Sequence, residues 1–60
     1  MTQHERSKLI ETMALAIANQ FRAEKKMHKV KSLAEIENVG PYRRAAAAGL
    51  DAYLRERLGH

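Results

Sequence analysis

Ile10, Met13, Ile17 and Phe21 recur at spacings of three and four along the first third of the chain, which stacks them on one face of a helix. Leu9 and Ala14 flank this stripe, which predicts the core side of a first long helix. Thr2 and Glu5 mark its start, in the Thr-x-x-Glu spacing that lets each side chain satisfy an orphan backbone N–H. No Gly or Pro interrupts the following residues as far as Lys31, so the end is read from polarity alone and falls between residues 26 and 31. Leu15 lies on the opposite side, among Lys8, Arg22 and Lys26. Two readings stay open for it: a single exposed leucine of the kind most proteins carry, or a second contact surface.

Ser32 and Glu35 repeat the capping spacing and predict a short second helix over residues 33–38, with Leu33, Ile36 and Val39 turned inward. Gly40-Pro41 is the clearest punctuation in the chain, because Pro is tolerated at the first helical position, where its missing N–H costs nothing. A third helix over residues 41–58 follows, with Gly59 just past its end as a C-cap. Tyr42, Ala46, Gly49 and Tyr53 share one of its stripes, and Ala47, Leu50, Leu54 and Leu58 an adjacent one. Ala45, Ala46 and Gly49 are small enough to let a neighbouring backbone approach, and Asp51 and Arg55 stand in the acid-first i,i+4 relation. The expected fold is all-α: an antiparallel helical hairpin of two long helices with a short connecting helix, in one small domain spanning residues 1–60.

Size limits what such a hairpin can bury. A chain of 60 residues covers only about 60% of the surface it exposes when unfolded. Ten of its apolar residues are alanines, against six Leu, three Ile and two Val. Cores of this kind supply about 3–5 kcal/mol and usually need a disulfide, a metal or a partner chain. The sequence has no Cys, and His4, His28 and His60 are too scattered to form a ligand cluster, so no metal or cofactor is expected. Self-association is the remaining support, and a homodimer through the arc of Leu50, Leu54 and Leu58 is the expectation. No apolar run approaches the roughly 18 residues of a membrane span, and the N-terminus lacks a signal-peptide layout. The expectation is a soluble protein in the cytoplasm of a bacterial host.

The net charge of +4 is concentrated in residues 22–31, where Arg22, Lys25, Lys26, Lys29 and Lys31 face only Glu24. Such a segment could neutralise several phosphates, or it could complement the macrodipole at the end of the first helix. Both readings stay open. Nothing resembling a base-reading helix accompanies the charge. The carboxylates sit beside basic residues or on polar faces, and no His-x-x-x-His, phosphate loop or serine elbow is present. No enzyme is expected.

Two resemblances add to this picture. The stretch Ile36-Glu37-Asn38-Val39-Gly40-Pro41-Tyr42, followed by Ala45, resembles the helix-hairpin-helix element of DNA glycosylases and related proteins, with Asn38 at the position of the first glycine and Arg44 where a small alanine usually packs. That resemblance implies backbone N–H groups presented to a DNA phosphate. Glu11-Thr12-Met13-Ala14-Leu15-Ala16-Ile17, then Leu33, then Tyr42-Arg43-Arg44 running into Ala45, Ala48, Leu50, Ala52 and Leu54, is similar to small proteins of bacteriophages and prophages. Val30 stands where those proteins carry a Trp, and Gly49 breaks their alanine pair. The second resemblance implies a phage accessory origin, not an activity; taken with the small size, the expectation is a phage-type accessory protein that binds a host or phage protein, for instance as an inhibitor of a host defence system. Leu15, Leu50, Leu54 and Leu58 are its candidate contact residues. The alternative is non-specific nucleic-acid binding through Arg22, Lys25, Lys26, Lys29 and Lys31, assisted by Arg43 and Arg44.

Overall fold

The computed structural model describes residues 1–58. A 22-residue helix, α1 (Gln3–Glu24), leads through an extended strap with one 3-10 turn at Leu33–Glu35 into a 19-residue helix, α2 (Gly40–Leu58). The two helices pack against each other as an antiparallel hairpin, which is the expected all-α architecture. The direction shows in pairs that run oppositely along the two helices. Phe21 meets Tyr42 with ring centroids 6.4 Å apart, and Arg6 reaches Asp51 at 2.9 Å.

Thr2 caps α1, its Oγ1 accepting from the Glu5 N–H at 3.1 Å. The other end departs from expectation, because α1 stops at Glu24 rather than between residues 26 and 31. Lys26 takes a left-handed φ of 57°. Its N–H donates to the Ala23 carbonyl at 3.0 Å and the Met27 N–H to the Arg22 carbonyl at 2.8 Å. These two bonds make the Schellman stop that normally carries glycine. With a lysine in the glycine position, this stop carries no local signal in the residues themselves.

The predicted second helix is reduced to the single 3-10 turn, and Ile36 is already extended, with φ −112° and ψ 131°. Leu33 lies beside Leu15, so the chain must travel back from there to the Phe21 end of α1 before α2 can begin. Extended backbone covers about 3.3 Å per residue against 1.5 Å in a helix, and only the former spans that return in so few residues. α2 starts at Gly40, one residue before the predicted 41, with the Val39 carbonyl accepting from the Arg43 N–H at 3.0 Å. The C-cap expected at Gly59 lies outside the described residues.

Ala14, Ala18, Leu33, Ala46 and Leu50 are buried. Ile10, Met13, Leu15, Ile36, Val39 and Tyr42 pack around the contact of Ala14, Leu33 and Ala46. The packing face of α1 is therefore rotated from the predicted stripe, leaving Ile17 36% and Phe21 44% exposed. The cause is steric: alanines on both helices let the backbones approach, and the strap then covers the Leu15 flank instead of the Ile17 flank. Leu15 is accordingly neither a stray exposed leucine nor a free contact surface, since it is half-buried against the core. Asp51 also departs from expectation. Its carboxylate accepts from Arg6 Nη2 at 2.9 and 3.0 Å, tying the two helices together across 45 residues, rather than pairing with Arg55.

The left-handed lysine generates a stability prediction. A non-glycine residue there costs about 1–2 kcal/mol, partly offset by the unfolded-state freedom that glycine adds. Lys26→Gly is expected to stabilise the hairpin by about 0.5–1 kcal/mol, raising Tm by roughly 2–8 °C in thermal melts followed by circular dichroism. An unchanged or lower Tm would show that the turn is not strained.

Candidate functional site

The strap that follows α1 is the most constructed polar feature of the molecule. Its backbone is held by side chains at three places. The Asn19 side chain, reaching out from α1, both donates to the Val30 carbonyl at 3.0 Å and accepts from the Val30 N–H at 2.8 Å. Arg22 Nε donates to the His28 carbonyl at 2.6 Å. Glu35 Oε2, in the 3-10 turn, accepts from the N–H groups of Lys31 at 2.6 Å and Ser32 at 3.1 Å. An extended segment with no neighbouring strand leaves its peptide groups without partners, and these three side chains supply them.

Lys25, Lys26, Lys29 and Lys31 are exposed along this path. Two ion pairs form among the described residues, Arg6 with Asp51 and Arg43 with Glu11, and neither uses a strap lysine. Lys25 places its Nζ 4.5 Å from the centroid of the Phe21 ring, a cation–π contact at the root of the strap. Lys25 and Lys26 sit at the end of α1, where they complement its macrodipole. Lys29 and Lys31 lie beyond it, and that interaction falls off within the last helical turn.

The other candidate basic residues are divided by the fold. Arg22 is half-buried and committed to the strap backbone, so it shapes the site rather than extending the free charge. Arg43 is engaged with Glu11 at 2.9 Å, tying α2 to α1. Arg44 is exposed at the start of α2, its Nη1 3.4 Å from where a β-carbon on Gly40 would stand. The Asn38-Val39-Gly40 segment is preceded by the 3-10 turn and extended residues, not by a helix, and Gly40 has no positive φ.

The candidate apolar residues are mostly inside. Leu50 is buried, while Leu15 and Leu54 are half-buried. Of the four, only Leu58 stands free, at 81% exposed. The arc of Leu50, Leu54 and Leu58 is thus largely the side of α2 that packs within the chain. In its place, Leu9, Ile17 and Phe21 on α1 form the exposed apolar row.

A hollow of about 620 Å³ opens between Phe21, Ile36, Asn38, Pro41 and Tyr42, with Glu35 and Glu37 at its edge. It holds no nucleophile beside a base, and Glu35 is already bonded to the strap backbone. Among the described residues no three of His, Cys, Asp and Glu converge as metal ligands, and no helix is long and apolar enough to cross a membrane.

Asn19 is the residue that sequence reasoning missed. A lone Asn between Ala18 and Gln20 carries no periodic or motif signal, and its role depends on a peptide group 11 residues away. No protein-family model matches the chain, and neither a curated protein nor a solved structure matches it.

Proposed function

We propose that the chain is a non-catalytic protein that binds nucleic acid through its phosphate backbone, with the pinned lysine strap as the contact. The observation supporting this reading is that Lys29 and Lys31 lie past the end of α1 on a backbone fixed by Asn19, Arg22 and Glu35. A fixed path lowers the ordering cost of binding, which is where preorganised sites gain affinity. Recognition is of charge, not sequence, because the strap offers lysines and main chain, without a helix placed to enter a groove.

A second reading has its own observation. Leu9, Ile17 and Phe21 leave an apolar face on α1 that a protein could cover, and this fits the phage-type accessory role implied by the resemblance to small phage proteins. In that role the chain binds a host or phage protein in the bacterial cytoplasm, for instance to inhibit a defence system. Its contact residues are then those of α1, since Leu15 and Leu50 are turned inward. Glutamate at Ile17 is the discriminating change between the two readings, because it removes a protein contact on α1 without altering the strap.

Two measurements test the strap. Four lysine–phosphate contacts imply that the logarithm of the duplex-DNA binding constant falls with the logarithm of salt concentration at a slope of about −3 to −4. Replacing Lys25, Lys26, Lys29 and Lys31 by Gln is expected to abolish binding at about 50 mM salt with helicity retained. Absence of wild-type binding at that salt, or a slope that the quadruple change leaves untouched, would overturn the proposal.

Asn19→Ala keeps every lysine and removes the tie. Each lost hydrogen bond leaves a Val30 group to find water, at a cost of about 1–2 kcal/mol overall. DNA affinity is expected to drop roughly 5–30-fold while the salt slope holds, and the Val30 amide is expected to lose protection from hydrogen exchange. Full affinity in this variant would mean that the strap need not be fixed.

A further inference from the structure

We infer that the apolar face of α1 is covered by a second copy of this chain, packed antiparallel about a two-fold axis near residue 15. This goes beyond the strap proposal and rests on a different face of α1.

The face is continuous. Leu9, Met13, Ile17 and Phe21 follow at intervals of four, Met13 half-buried toward the core at the middle of the row, with Ala16 and Gln20 beside them. Leu9, Ile17 and Phe21 are 41%, 36% and 44% exposed, and an open groove of about 350 Å³ runs along Ala16, Ile17, Gln20, Phe21 and Glu24. By helical spacing, the charges in line with this face stand at its ends, Arg6 at one and Glu24 at the other, where Lys25 also lies over the Phe21 ring. The row continues onto α2, because Met13 Cε lies 3.8 Å from where a β-carbon on Gly49 would stand. Ala45 and Ala52, one turn to either side of Gly49, are exposed and small enough to admit a neighbouring helix.

The area matches one more copy. A compact monomer of 6.8 kDa exposes about 3,950 Å² on the usual scaling of surface with mass. This chain exposes 4906 Å², roughly 950 Å² more, and one partner's share of a standard interface is about 800 Å². The shape agrees. The Cα radius of gyration is 12.7 Å in a body of 41 × 22 × 15 Å, against about 10.4 Å for a compact domain of this length. Pairing two such slabs face to face gives a four-helix arrangement.

What selects a second copy over another protein is that the face complements itself. In a two-fold contact each residue meets the position reflected through the axis. Centred near residue 15, Leu9 meets Phe21, Met13 meets Ile17 and Arg6 meets Glu24, so both apolar halves and both end charges are matched. Arg6 spends only Nη2 on Asp51 and retains Nε and Nη1 for a second carboxylate, while Glu24 has no ion-pair partner within the protomer among the described residues. The antiparallel arrangement also sets the helix dipoles in opposition. The strap backbone lies on the Asn19 and Leu15 side of α1, and Lys29 alone of its lysines borders the face, beside Ala16 and Gln20.

Sedimentation of the full chain tests the stoichiometry, and engineered cysteines in this Cys-free sequence test the register. The expected mass is twice that of the chain, with Ile17→Glu restoring the monomer. Under mild oxidation, Leu9→Cys mixed with Phe21→Cys is expected to form a disulfide-linked pair. Leu9→Cys alone should not, because its two copies would stand about 18 Å apart along the axis. A wild-type monomer at about 1 mM overturns the inference and gives the face to a different protein. Cross-linking of Leu9→Cys to itself but not to Phe21→Cys overturns the antiparallel register, and it does so even where Ile17→Glu fails to fold. The quadruple lysine-to-glutamine variant is expected to remain dimeric, so loss of DNA binding and loss of the dimer are read separately.

Discussion

The packing of Ala14 on α1 with Ala46 on α2 is the constraint on which the rest of the structure depends. Alanine buries little surface, so its contribution here is distance rather than area. Two helices that meet through methyl groups bring their backbones close, and the large side chains are displaced to the flanks. One flank is closed by the strap, with Leu33 set against Ala14 and Ala46 and Leu15 drawn in beside it. The other flank is left with Leu9, Ile17 and Phe21 in contact with solvent.

That constraint also explains which parts of the fold were legible. The two long helices were readable because amphipathic spacing, the Thr2 cap and Gly40-Pro41 are local signals, and local signals set local structure. The face on which α1 packs was legible at Ile10, Met13 and Ala14, which lie inward, and not at Ile17 and Phe21, where burial was assigned by side-chain size. Ile17 and Phe21 are the larger residues, but the alanines decide how near the helices come. Leu15 shows the same error in reverse: on an isolated helix it belongs to the polar side, and only the returning strap turns that side into interior.

The candidate site was legible in composition and illegible in geometry. The excess of lysine in residues 22–31 is visible in the sequence, and it marks the region that the fold exposes. What turns that charge into a defined surface is a set of bonds with no sequence signature. Asn19 binds the peptide unit at Val30, and Arg22, counted among the free cations by composition, spends its Nε on a carbonyl. Lys26 is the least predictable element, because left-handed backbone is ordinarily announced by Gly or Asn and here is imposed by the Schellman bonds around it.

The way the strap is fastened has a dynamic consequence. Residues 28–32 are held by polar bonds to three side chains, whereas the helix pair is held by buried alanine, leucine and isoleucine contacts. Water competes for the former and cannot replace the latter. The segment between Lys26 and Leu33 therefore has a local stability of its own, set apart from that of the helix pair.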